Sequence, residues 1–311
     1  MLARLLRTLY LFQLTLGTVL GGYLAQRAMQ QGDSAWAWLW LPAVALGVPL
    51  LLQVAVLAVS MLRARNQGSP WPLWWRAFAG ELRAALQVFL LRQPFPVRSN
   101  GVQMPLASGQ TPGQLPVLLV HGYLCNHRVW DEVALALRKQ GHAVLAVDLE
   151  PLFTSIDDYA ALLNRQLDTL LAQTGAPQAV LVGHSMGGLA IRAWLRAYGS
   201  QRAARILTLG TPHQGTRIAS ASATANGAQM VWHSGWLADL AASEDAAQRA
   251  LMHLAITEQD NIVFPQAEQV LPGAQVTRFS GIGHLQMCLD AGVIDWVCQQ
   301  ANLPGQPVDK A

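Results

Sequence analysis

The sequence predicts an α/β fold, in which a mostly parallel sheet carries helices on both faces, preceded by a transmembrane helical hairpin. From Pro116 onward, short apolar runs alternate with helix-like segments, as in parallel sheets whose two faces are both covered. Of the 311 residues, 52% are hydrophobic and only 13% are charged, whereas a soluble domain has about 25% charged residues. The apolar excess lies mostly before residue 96, which separates a membrane part from the α/β part.

Two apolar segments near the N-terminus predict two transmembrane helices within residues 1–65. Leu9–Ala25 is about as long as the lower limit of ~17 residues for a membrane span. Trp36–Leu62 contains no charged residue and exceeds the ~20 residues that a span needs. Its first residues include Trp36, Trp38 and Trp40, which is typical of an interfacial aromatic belt. The alternative for the first segment is a signal peptide, although no small-x-small cleavage site precedes Gln26.

Arginine residues predict how the hairpin is oriented. The outer flanks of the two segments carry Arg4, Arg7, Arg63 and Arg65. The loop between them carries Arg27, whose charge is offset by Asp33. The positive-inside rule then places both termini and the following domain in the cytoplasm, as expected for a protein of a bacterial inner membrane.

Residues 66–114 predict one amphipathic helix followed by a linker. Tryptophan, phenylalanine and leucine recur at helical spacing over residues 71–91, with arginines largely on the other side. The same pattern suits a helix in the membrane interface and a helix packed on the domain core. Both alternatives stay open.

Residues 115–303 predict the α/β domain itself. Its strand-like segments are Val117–Val120, Ala143–Val147, Ala179–Val182, Ile206–Leu209, Leu251–Thr257 and Gln275–Phe279. Its helix-like segments include Val129–Gln140, Ile156–Gln173 and Met186–Ala197. An insertion at 217–250 has an apolar face, which predicts either a lid over a pocket or an ordinary packed pair of helices.

The strongest chemical signal is the motif Gly183-His184-Ser185-Met186-Gly187-Gly188. A strand leads into it and a helix leads out, which is the arrangement of a nucleophile elbow. Such a turn is too tight for side chains at the flanking positions, so that glycines are needed at 183 and 187. We therefore predict that Ser185 is a nucleophile.

A serine nucleophile needs a base and an acid that orients the base, and in this arrangement they follow in the order acid, then histidine. His284 lies in a glycine-containing loop after a strand, whereas His253 lies inside a strand and His213 comes too early. Asp260 follows the C-terminal end of a strand, where ligand-side residues of parallel sheets gather. We predict His284 as the base and Asp260 as the acid, with Glu258 as the nearest rival.

Two backbone amides should stabilise the oxyanion of the tetrahedral intermediate. The N–H of Met186 follows the nucleophile, and the N–H of Tyr123 lies in the loop after the first strand, next to Gly122. His121 is interpreted as a structural hydrogen-bonding residue. No cofactor or metal site is predicted, and the three cysteines form no metal-binding spacing, although a bridge between Cys288 and Cys298 stays possible.

Together these motifs resemble bacterial triacylglycerol lipases and related esterases of the α/β-hydrolase superfamily. The resemblance covers about residues 115–300 and rests on His121-Gly122, the elbow at 183–188, Leu209–Thr216, Asp260–Pro265 and Gly283-His284-Leu285. It implies a triad of Ser185, Asp260 and His284. Secreted lipases of this type often carry a calcium site and a disulfide, and neither is matched in this sequence.

The predicted function is a membrane-anchored serine ester hydrolase that acts on lipid-like esters through an acyl-enzyme on Ser185. An acyltransferase or thioesterase would use the same triad and differ only in the acceptor. A third alternative is a catalytically idle, membrane-tethered binding module. Nucleic acid is not a predicted partner, because the net charge of +3 accompanies no nucleic-acid-binding motif. The sequence leaves the oligomeric state open.

Overall fold

The computed structural model describes residues 1–32, 35–66, 68–95, 101–106 and 114–303. Most of the predicted linker before the α/β domain, including residues 96–100 and 107–113, lies outside the described residues.

A six-stranded parallel sheet forms the centre of the domain, in the order β2-β1-β3-β4-β5-β6. The strands are β1 (Val117–Val120), β2 (Val144–Val147), β3 (Ala179–His184), β4 (Ala203–Leu209), β5 (Met252–Thr257) and β6 (Gln275–Phe279). β1 to β5 are buried along their whole length, and only the edge strand β6 is partly exposed. Burial on both faces explains their continuous apolar sequences, and the predicted α/β fold is confirmed.

Helices cover both faces of the sheet. They are α4 (Asp131–Lys139), α5 (Asp158–Thr174), α6 (Met186–Tyr198) and α10 (Ala291–Asn302). Alternate residues of β1 point into two separate cores: Leu118 packs with residues of α5 and α6, and Leu119 packs with residues of α4 and α10. Because successive side chains of a strand point to opposite faces, β1 contacts helices on both faces of the sheet.

The insertion after β4 begins with a 3-10 helix, Arg217–Ala221, which is followed by the short α-helices α7 (Ala225–Gln229), α8 (Gly235–Ala242) and α9 (Ala246–Ala250). Its apolar side chains Met230, Leu237 and Leu240 are buried in the same core as α5 and α6. In this structure the apolar face of the insertion therefore packs on the domain, and opening it as a lid remains a prediction.

The N-terminal part forms two long helices, α1 (Leu2–Gln30) and α2 (Trp40–Ala64), joined through a 3-10 turn at Ala35–Leu39. By length and composition, the segments Leu2–Gln30 and Trp36–Ala64 could each cross a membrane, a test that a signal sequence also passes. Gly17 and Gly21 let the helices approach closely, since a Cβ on Gly21 would lie 2.8 Å from the Cα of Leu41. Small residues four apart are a common packing device between membrane helices.

A third helix, α3 (Trp71–Ala85), continues as a π-helical segment over Leu86–Arg92. Its residues Trp74, Ala77, Glu81 and Ala84 are buried, and Ala84 belongs to the core that includes α4 and α10. One face of this helix therefore packs on the protein. Trp71 and Trp75 are exposed, and their placement in a membrane interface remains a prediction.

All three cysteines, Cys125, Cys288 and Cys298, are free and buried. The bridge between Cys288 and Cys298 that the sequence left open is thus absent from the structure.

Candidate active site

Ser185 stands on a strained turn between β3 and α6. Its backbone has φ 54° and ψ −127°, a region that residues other than glycine rarely occupy. A Cβ on Gly183 would lie 2.5 Å from the backbone nitrogen of Gly188, and one on Gly187 would overlap the carbonyl oxygen of Val120. The glycines are therefore required by close backbone contacts, as the nucleophile elbow predicts.

The loop after β1 lies against Ser185. A Cβ on Gly122 would lie 2.7 Å from the Cβ of Ser185. Met186 is the first residue of α6, where backbone N–H groups have no partner inside the helix. Tyr123 and Met186 line the same narrow cavity, together with Leu149 and Phe153. The two residues predicted to supply the oxyanion donors thus line one cavity, next to the loop that contacts Ser185.

His121 has the structural role that the sequence suggests. Its Nδ1 lies 2.8 Å from the carbonyl oxygen of Gly122, and its Nε2 accepts the N–H of Leu149 at 3.0 Å. These two bonds require the neutral ring with its proton on Nδ1. Burial lowers the pKa of His121, in agreement with a neutral imidazole.

Asp260 and His284 form a buried pair. Nδ1 of His284 lies 2.8 Å from Oδ2 of Asp260. The other oxygen of Asp260 accepts the N–H groups of Ile262 at 2.9 Å and Val263 at 2.7 Å. Because Nδ1–H donates to Asp260, Nε2 of His284 is left as the acceptor, which is the tautomer that a general base needs.

The net effect of its surroundings raises the pKa of His284. Burial alone would lower this pKa, but the charge of Asp260, the hydrogen bond to Asp260 and the charge of Glu81 outweigh burial. The neighbouring ring of His184 lies 4.6 Å away, centroid to centroid. Burial and the charge of His284 hold the pKa of His184 well below its usual value, so that His184 adds no positive charge.

His184, the second residue of the elbow, contacts the backbone of His284. Its Nε2 lies 3.1 Å from the carbonyl oxygen of His284, to which only an Nε2–H donor can bond. The elbow therefore positions both Ser185, the predicted nucleophile, and, through His184, the backbone of His284.

In the part of the chain that the structure describes, the hydroxyl of Ser185 makes no hydrogen bond to another side chain. Hydrogen bonds between nucleophile and base are often long without substrate and shorten when substrate binds. The pair of Asp260 and His284 is thus already assembled, whereas the predicted proton transfer would require a contact between Ser185 and His284 to form.

The remaining candidates lie elsewhere. Glu258 is exposed and accepts a hydrogen bond from Ser280 Oγ at 3.3 Å. His213 is buried with Nε2 3.0 Å from Thr208 Oγ1, and His253 belongs to β5.

Sequence reasoning missed Glu81 of α3, whose side chain reaches the loop that carries His284. The signal was present: Trp74, Ala77, Glu81 and Ala84 occupy one face at helical spacing, so that a carboxylate falls among small and apolar residues.

The end of α2 also contacts the candidate site. Ser60 Oγ lies 3.2 Å from Nδ2 of Asn261, the residue after the acid. Gln266 donates to the carbonyl oxygens of both Ala64 (2.9 Å) and Asp260 (2.8 Å). The loop that carries Asp260 is therefore bonded directly to the C-terminal end of α2.

Known proteins resemble this chain in its α/β domain. A family model for the alpha/beta hydrolase fold matches residues 116–256. Triacylglycerol lipases of Pseudarthrobacter phenanthrenivorans and Burkholderia plantarii are each 34% identical over 113 residues, 33% of this chain and 35% and 31% of those proteins. The chain thus aligns with about a third of the length of these curated relatives.

Among solved structures, the mature form of Bacillus licheniformis lipase BlEst2 superposes with a TM-score of 0.54 at 19% identity. The superposition covers 62% of this chain and 95% of that protein. The propeptide form gives a TM-score of 0.56 at 18% identity and covers 68% and 55% of the two chains. At these identities the superpositions establish a shared fold.

Proposed function

We propose that this chain, whose α/β domain is similar to triacylglycerol lipases, is a membrane-anchored serine hydrolase of lipid-like carboxylic esters. The observation that carries the proposal is the buried pair of His284 and Asp260, at 2.8 Å, in a domain whose elbow places Ser185 on a strained turn. The triacylglycerol lipases similar to this chain make an ester the first substrate to consider.

In the proposed reaction, Oγ of Ser185 attacks the acyl carbon while Nε2 of His284 takes the hydroxyl proton. The N–H groups of Tyr123 and Met186 stabilise the oxyanion. His284 then gives the proton to the leaving alkoxide, and the C–O ester bond breaks to leave an acyl-enzyme. Water attacks that acyl-enzyme with His284 again as base, and the carboxylic acid and free Ser185 are released.

Asp260 keeps its negative charge throughout. Its Oδ2 holds Nδ1–H of His284 and stabilises the imidazolium that forms, while its Oδ1 is fixed by the amides of Ile262 and Val263. The acid therefore does not need to move between the two half-reactions.

Membrane anchoring through α1 and α2 is supported by their length and apolar surface. Leu11, Phe12 and Val19 of α1 and Leu51 and Val56 of α2 are all more than 60% exposed, which in water would be an unusually large apolar surface. Lipid contact accounts for this exposure, and it would place the active-site loops bonded to α2 near the bilayer. Lipid-like esters dissolved in that bilayer are the corresponding substrate class.

The proposal is tested by measuring hydrolysis of p-nitrophenyl esters of increasing acyl length with the purified full-length protein in detergent. Ser185→Ala should abolish turnover and covalent labelling by a fluorophosphonate, whereas Ser243→Ala, on the insertion, should keep both. Labelling of Ser185 without hydrolysis of any ester would indicate an acyltransferase. Absence of labelling in the folded wild type would contradict the proposal and favour an idle binding module.

A further inference from the structure

The buried carboxylate of Glu81 meets the loop that carries His284. Glu81 is only 4% exposed. Its Oε1 accepts the N–H of Leu285 at 2.9 Å, and its Oε2 accepts the N–H of Gln286 at 2.8 Å. These amides begin the short 3-10 turn Leu285–Cys288, directly after His284. One side chain of α3 thus binds two consecutive amides next to the proposed base.

The close approach of α3 to this loop depends on a glycine at position 283, which has no side chain. A Cβ on Gly283 would lie 2.5 Å from Oε2 of Glu81 and 2.7 Å from its Cβ. The N–H of Gly283 is in turn bonded to Oε1 of Gln286 at 3.0 Å. Gly283 and Leu285, which flank the proposed base, therefore both lie against the side chain of Glu81.

The ionised form of Glu81 suits this arrangement best. Both of its oxygens face an N–H donor, and a protonated carboxyl would turn an O–H toward one of them. The pKa of Glu81 is nevertheless raised, because burial outweighs the charge of His284 and the two backbone hydrogen bonds, which lower it. The side chain of Glu81 is thus a fixed acceptor for the loop, and its ionised form is a second negative charge near His284.

Among the described residues, three titratable side chains act on or contact His284, each from a different element. Asp260 comes from the loop after β5, Glu81 from α3 and His184 from the end of β3. His184 is neutral, so that the two carboxylates are the charges that act on the base. Both favour the imidazolium form.

We propose that Glu81 is a positioning residue for His284, which fixes the base-carrying loop through two backbone amides and shares with Asp260 the stabilisation of the imidazolium. This inference rests on the proposed function, because it takes His284 as the base. It makes α3, which precedes the α/β domain in sequence, a part of the proposed active site.

The test compares Glu81→Gln and Glu81→Asp in full-length protein. Glutamine removes the charge and turns an NH2 group toward one of the amides, so that kcat should fall on the order of 100-fold through misplacement of the base. The acidic limb of the kcat/KM profile should also move to lower pH. Aspartate keeps the charge but is too short to bind both amides, so that kcat should fall while the limb stays in place.

Glu244→Gln is the matched control, since Glu244 is a buried carboxylate paired with Arg192 and Arg249 away from the His284 loop. It should lower thermal stability and leave the acidic limb unmoved. A limb that stays in place in Glu81→Gln would overturn the proposal, as would unchanged kcat in both Glu81 variants. If Glu81→Gln does not fold, unchanged kcat in Glu81→Asp is enough to overturn it.

A readout without turnover separates this inference from the proposed function. The pKa of His284 is measured by NMR of 13C-histidine-labelled protein in the Ser185→Ala background, with His284→Asn to assign the signal. Adding Glu81→Gln should lower this pKa, and an unchanged value would contradict the role of Glu81. Ester hydrolysis that survives Ser185→Ala would instead contradict the proposed function, whatever the titration shows.

Discussion

At the scale of single residues, His284 sets the pH range of the proposed reaction. Only the neutral imidazole can accept the proton of Ser185. Because the surrounding carboxylates raise the pKa of His284 despite burial, the neutral fraction disappears at a higher pH than for an ordinary histidine. We expect kcat/KM to fall as the pH decreases through this raised pKa.

Replacing Asp260 by asparagine should both slow the reaction and shift the acidic limb of the kcat/KM profile, where the rate falls with decreasing pH. The amide would leave His284 in the wrong tautomer, and kcat should drop by about 10⁴-fold. Loss of the negative charge that raises the pKa of His284 should shift the acidic limb to lower pH. Kinetics over a range of pH measure both effects.

Glu258→Gln is the control for that substitution, because Glu258 is an exposed carboxylate two residues away that bonds Ser280. It should retain activity close to that of the wild type. If Glu258→Gln were the inactive variant and Asp260→Asn the active one, the acid would have been assigned to the wrong residue.

At the scale of elements, the close contact between α1 and α2 depends on two glycines on one face of α1. A Cβ at position 17 would lie 2.9 Å from the Cα of Ala45, and one at position 21 would lie 2.8 Å from the Cα of Leu41. The carbonyl oxygens of α2 approach just as closely. Any side chain at these positions must push the helices apart.

Gly21→Leu should therefore destabilise the hairpin, by about 1–3 kcal/mol as for other overpacked sites. Gly22→Leu is the control, because a Cβ at position 22 meets nothing within 4 Å. The midpoint of detergent-induced unfolding, followed by circular dichroism, measures the difference. Equal midpoints for the two variants would mean that the helices do not pack as the structure describes.

The elements also explain which features could be predicted from sequence. β1 and β6 have the predicted bounds, and the elbow lies where its glycines indicate, because these features depend on local sequence. The docking of Glu81 and the bond between Ser60 and Asn261 join residues about 200 positions apart. Such contacts depend on the tertiary packing of helices and loops, and no local sequence pattern specifies the partner residue.

At the scale of the whole molecule, the orientation of the proposed membrane hairpin would decide in which compartment the α/β domain lies. The arginines at the outer flanks predict the cytoplasm. A single introduced cysteine can test this, because the three native cysteines are buried. Gln173 is exposed on α5, within the hydrolase domain.

Gln173→Cys should react with a membrane-impermeant maleimide in inside-out vesicles and stay unlabelled in intact spheroplasts. The reverse pattern would place the domain on the opposite side of the membrane. Release of the protein from membranes by alkaline carbonate would argue against a spanning hairpin altogether. Retention in the pellet is the result that we expect.

The bonds from α2 to the Asp260 loop have a mechanical consequence. A membrane helix whose apolar length exceeds the local bilayer thickness responds by tilting. In the proposed membrane arrangement, α2 ends at the loop that carries Asp260, so that thinning or thickening of the surrounding lipid would displace this loop relative to His284. Lipid composition would then act on turnover as a physical force, even for a water-soluble substrate that never enters the bilayer.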